Sequence, residues 1–191
     1  KSAGGMSSKL KGGVAVAAAA AGVALASMAT SAIAGARESA EINRVLQSQL
    51  KGMGAEAQKA FSGATKFAAD FGAQIGKDDD DILKVVNKLS TFPAAFGKGT
   101  LGAEGMRRAT QAAFDLEAAG VGSAESNIIG LGKALDNPIK GMTALSKSGV
   151  SFTAEQQAQI KNYMEQGRLA DAQKVLLAGI ETNAKGAATA Q

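Results

Sequence analysis

Four consecutive aspartates, Asp78-Asp79-Asp80-Asp81, are the densest set of potential ligands in this 191-residue chain. They invite a calcium reading. A calcium loop of the EF-hand kind needs donors at alternating positions, a glycine at the sixth and a distal bidentate glutamate, and none of these is arranged here. Carboxylates also suit the first turn of a helix, where they face the positive end of its dipole. ILKVVNKL follows directly, so the run is expected to start a helix, and no metal ligand is assigned. The chain has no His and no Cys, which removes the usual zinc sites, disulfides and histidine-based acid–base or triad chemistry. The expectation is a non-enzymatic chain with no catalytic residue, metal or cofactor.

The other conspicuous feature is a 25-residue stretch without charge between Lys11 and Arg37. As a helix rising 1.5 Å per residue it could span a bilayer core of about 30 Å. Twelve of its residues are Ala and four are Gly, and only Val14, Val16, Val23, Leu25, Met28 and Ile33 are larger and apolar. Three readings stay open. Lys9, Lys11 and Ala34-Gly35-Ala36 resemble the ends of a signal peptide. A transmembrane helix would insert only marginally, since Leu, Ile, Phe and Val supply the favourable terms. A helix packed on copies of itself would use the close approach that Ala and Gly permit. Residues 1–77 carry nine Lys/Arg and four Asp/Glu, a net of +5, against a net of −1 for the remainder. The first third is therefore the candidate for contact with anionic lipid or nucleic acid.

The elements that would position these residues read as helices throughout. Two prolines, one Tyr, seven Phe and no Trp give little large-side-chain burial, and Ala favours helix while burying little. Ile42, Val45, Leu46, Leu50 and Met53 mark one helical face before Gly52 and Gly54. Phe61, Ala64, Ala68, Phe71, Ile75, Asp78, Ile82, Val85, Leu89 and Phe92 form a seam of alternating three- and four-residue steps. Gly63, Gly72 and Gly76 lie inside it and favour separate helices over one coiled coil. A helix is expected from about Ala103 to Ala119, with Met106, Ala109, Ala113 and Leu116 inward and Gly120 as its stop. Ser123 should cap the next helix, carrying Ile128, Leu131 and Leu135, and Pro138 should open a short one with Met142 and Leu145. Thr153 and Gln156 form a T-x-x-Q capping box. Its helix carries Ile160, Tyr163 and Met164 to Gly167, and a last helix bears Leu169, Ala172, Val175, Leu176 and Ile180. The fold class is all-α: an Ala/Gly-rich extended helix, then short antiparallel helices in a small bundle, with self-association expected. The expected divisions are 1–54 (hydrophobic helix and amphipathic extension), 55–97 (helical linker) and 98–191 (bundle).

From Ala134 to Ala188 the succession ALDNPIKGMTALSKSGVSFTAEQQAQIKNYMEQGRLADAQKVLLAGIETNAKGAA resembles a segment of the tape-measure proteins of long-tailed phages. The resemblance is carried by Asn137-Pro138, Leu145, Gly149-Val150-Ser151, Thr153, Glu155-Gln156, Gly167, Ala172-Gln173 and Gly186-Ala187, in that order. The segments ILKVVNKL and AAFDLEAAGVGSAE upstream are similar to what precedes this block in the family. The match covers roughly residues 80–190. It implies a structural protein of the virion, in the tail-tube lumen, that sets tail length and leaves ahead of the DNA. Its implied partners are copies of itself, tail-tube and tail-tip proteins, and the host membrane or envelope during infection, with DNA contact transient. Some members carry peptidoglycan-cutting modules. A metallopeptidase would need ligands such as His, and a transglycosylase needs a catalytic Glu in a carbohydrate cleft, which nothing in the sequence singles out.

Two other classes compete. One is a membrane-active or secreted helical protein inserting residues 12–36 in a bilayer. The other is a nucleic-acid-binding helical module, against which stand the lack of a dense basic stripe, of stacking aromatics and of a docking motif. A chain that begins with Lys1 rather than Met reads as a piece of something longer.

Overall fold

In the computed structural model, residues 35–184 are described. The uncharged segment with Val14, Val16, Val23, Leu25, Met28 and Ile33 lies outside them. The chain divides into two compact units, Lys1–Glu41 and Ile42–Gln191. Of the first, residues 35–41 are helical, and the Ser39 hydroxyl donates to the Gly35 carbonyl. The described residues are helical with no strand among them, so the all-α expectation holds.

Helix α1 runs over residues 35–51. It is followed by α2 (Ala55–Phe61), α3 (Ala64–Ile75), α4 (Asp79–Leu89), a 3-10 turn (Pro93–Phe96), α5 (Gly102–Ala118), α6 (Ala124–Asp136), α7 (Pro138–Lys147), α8 (Ala154–Glu165) and α9 (Leu169–Ala184). Local chemistry sets most of these ends. Asp78 caps α4 by accepting from the Asp80 amide at 2.9 Å, and the three following aspartates fill the first turn. Ser123 caps α6 by accepting from Ser126 N. Pro138 takes the first position of α7, where its missing N–H costs nothing.

α5 is the centre of the second unit, packing against α2, α4, α6, α9 and the 3-10 turn. Met106, Ala109, Ala112, Ala113, Phe114 and Leu116 are all buried. A helix shielded on nearly all sides is a core element, and small alanines let its neighbours come close. The expected inward set Met106, Ala109, Ala113 and Leu116 is buried as read, and so are Ile128, Leu131 and Leu135 of α6.

The stretch 55–97 does not behave as a linker. α4 packs on α3, α5 and α6, and α2 packs on α5, so the divisions drawn at 54 and 97 fall inside one unit. The seam residues Ile82, Val85 and Leu89 are buried, but so are Leu83 and Val86, because α4 has neighbours on two sides. Phenylalanines add to this packing. Phe61 meets Phe96 edge to face at 5.0 Å, and Phe71 meets Phe114 at 5.9 Å. Such pairs contribute about 0.5–1.5 kcal/mol beyond their burial. Val45 corrects another reading: it is 38% exposed, while Ile42, Leu46 and Leu50 turn inward and Met53 is half-buried.

Candidate functional site

The residues that carry the family resemblance fall at the joints of α6–α9. Asn137 closes α6 and opens α7, its side chain accepting from Lys140 N at 3.1 Å. Gly149 ends α7 with φ 96°, a left-handed conformation that glycine adopts without a Cβ clash. The Val150 amide then returns to Leu145 O at 3.1 Å. Ser151 pairs twice through its backbone with the Asn183 amide, Ser151 N donating at 3.0 Å and Ser151 O accepting at 2.8 Å. This ties the α7–α8 loop to the end of α9.

The capping box is complete. Gln156 N donates to Thr153 Oγ1 at 3.1 Å and Thr153 N donates to Gln156 Oε1 at 3.0 Å. Glu155 lies in the first turn and accepts from Gln159. Gly167 (φ 69°) stops α8, with Arg168 N donating to Tyr163 O at 2.8 Å and the Arg168 guanidinium 4.6 Å from the Tyr163 ring centroid. Ile160 is buried, and Tyr163 and Met164 are half-buried. Gly186 lies outside the described residues.

Gln173 has the most consequential placement of the set. It is 1% exposed. Its amide NH2 donates to Ala95 O at 2.9 Å and to Leu135 O at 3.0 Å, while its oxygen accepts from Leu101 N at 2.9 Å. One side chain on α9 thus satisfies the 3-10 turn, the last turn of α6 and the loop before α5.

Several joining residues carried no signal in the sequence. Glu117 of α5 accepts from Ala124 N, the first residue of α6, at 2.6 Å and from Lys77 Nζ at 2.9 Å. The Ala124 amide, aided by the Lys77 ammonium and opposed by partial burial, holds the Glu117 carboxyl below the usual carboxylate range. Arg108 of α5 grips Glu181 of α9 through two nitrogens at 2.7 and 2.9 Å. The hydrogen bond to Glu181 raises the Arg108 pKa further, against the opposing effect of burial. Asn127 donates to Val121 O at 2.6 Å and to Ala113 O at 3.2 Å. Each links segments that only the fold brings together.

These groups link segments of the second unit. The Glu117 carboxyl is held low, and Glu181 pairs with Arg108. Asp78, Asp79 and Asp80 bring carboxylate oxygens within 4.8 Å of one another. They are three successive residues at an exposed helix start, and one of them caps it. No helix among the described residues is long and apolar enough to cross a membrane. No family model, no curated protein and no solved structure is similar enough to this chain to count as a match.

Proposed function

We propose that this chain is a non-catalytic structural part of a phage tail, a tape-measure segment that lies in the tail-tube lumen, helps set tail length and leaves ahead of the DNA. Its partners in this reading are copies of itself and the tube and tip proteins. The host envelope is met during release, with residues 12–36 as the segment that would meet the membrane, and DNA contact is transient. The reading is supported by one observation above others. From Asn137 to Gln173, the residues of the resemblance fall in order on a cap, a turn, a capping box, a helix stop and a buried clamp. Those are the positions at which a sequence that must keep this helix order is most constrained.

The proposal requires two forms of the chain. In the described form α2–α9 lie side by side, whereas a lumenal rod needs helices end to end. The packed form then belongs to the chain outside the tube. Mass spectrometry of purified intact particles and of particles emptied of DNA tests this. The chain should be present in the first and depleted in the second. Its absence from intact particles would contradict the proposal.

A further inference from the structure

Residues 42–51 of α1 meet the bundle along one narrow line. Of residues 42–51, Ile42, Leu46 and Leu50 are buried in a single file four residues apart. Beside that file the contact is polar. Asn87 Nδ2 of α4 donates to Ile42 O at 3.1 Å, Ser90 Oγ donates to Gln49 Oε1, and Thr65 Oγ1 of α3 donates to Asn43 Oδ1 at 3.4 Å. Asn87 Oδ1 is shielded from solvent and has no hydrogen-bond partner, the one such side-chain atom found among the described residues. Its bond to Ile42 O fixes the amide orientation, so a flip would only oppose two oxygens.

Open hollows flank the same helix on both edges. One of about 660 Å3 separates it from α2 and is lined by Gln47, Leu50, Lys51, Gln58 and Lys59. Another of about 370 Å3 lies along α4, lined by Gln49, Asn87, Lys88, Thr91 and Glu125. Gly52 and Gly54 follow in a turn that leads to α2. Few apolar contacts, solvent on two sides and a buried unsatisfied oxygen are the features that lower the free energy of local opening.

We infer that residues 42–51 form a strap that undocks from α3 and α4 as a unit while α2–α9 stay folded. The opening stands on this packing alone. Its use, as the first step from the packed form toward an extended one, rests on the tape-measure reading.

Hydrogen exchange on the purified full chain tests the strap independently of whether the chain is found in tails. Amides of residues 46–51 should exchange at least about 100-fold faster than those of the α5 centre. Ile180→Val, a mild change in the α9 core, should speed α5 exchange by about three- to tenfold and leave the strap rate unchanged. Leu46→Ala, which truncates a side chain of the buried file, should speed strap exchange by about tenfold or more and leave the α5 rate unchanged. Equal protection of strap and α5, or acceleration of both alike by Ile180→Val, would overturn the inference. So would an unchanged strap rate in Leu46→Ala.

Discussion

At Gln173 a neutral amide with almost no solvent contact serves three backbone groups drawn from three segments. Replacing it with Leu keeps the volume but strands Leu101 N, Ala95 O and Leu135 O, each costing about 1–3 kcal/mol when buried without a partner. Gln173→Leu should therefore lower unfolding free energy by about 3 kcal/mol or more, read as a lower urea midpoint at unchanged slope. A loss below about 0.5 kcal/mol would mean that water reaches those groups. Glu117 makes a pH-dependent contribution. Its folded pKa lies below the unfolded value, first because of the Ala124 amide and then through Lys77. The stabilisation is thus present above the ordinary Glu value of about 4.3 and lost as pH falls through the lower folded pKa. Glu117→Gln should be less stable than the parent at pH 7, with the gap closing as pH drops below about 4. An equal gap at both pH values would argue against it. Nothing in the sequence marked Glu117, Arg108 or Asn183, because their partners lie 7, 73 and 32 residues away. Gln173 stood out only through the resemblance, which said nothing of burial.

Helix by helix, the local chemistry was legible and the neighbours were not. The caps at Asp78, Ser123, Asn137 and Thr153 depend on residues within three positions, so they could be read directly. The two-sided burial of α4 could not, since a single three-and-four seam finds only one face and leaves Leu83 and Val86 unassigned. The exposure of Val45 is the same error reversed: an apolar residue next to the true file Ile42, Leu46 and Leu50. Glycines separate by contact in a way that spacing hides. A Cβ on Gly141 of α7 would lie 2.2 Å from Ala134 Cα of α6, whereas one on Gly130 of α6 would meet nothing within 4 Å. Gly141→Ala should cost about 1–3 kcal/mol by forcing α6 and α7 apart. Gly130→Ala should instead add about 0.5–1 kcal/mol through helix propensity. Thermal unfolding of both variants checks the pair, and a stabilising Gly141→Ala would show that the α6–α7 contact is looser than described.

For the molecule as a whole, the second unit combines a buried apolar core with polar fasteners, and these set different limits. Leu176, Leu177 and Ile180 are fully buried on α9, and burying each such side chain contributes about 1.5–3 kcal/mol. Gln173, Glu181 and Asn183 then fix which helices α9 may meet. A ruler made of such a chain must trade this packing for an extended form, and the proposed strap at residues 42–51 is where that exchange would begin. All-α architecture was legible from composition and helical period, because both are local. The single unit spanning α2–α9 was not, because glycine-rich breaks mark helix ends equally well within a domain and between domains.

Tail length measured by electron microscopy tests the ruler claim most directly. An in-frame deletion of residues 12–36 leaves α2–α9 whole. If that segment is helical in the lumen, its 25 residues at 1.5 Å each correspond to tails shorter by about 37 Å. Tails of that reduced and uniform length are the predicted result, and assembled tails of unchanged length would contradict it.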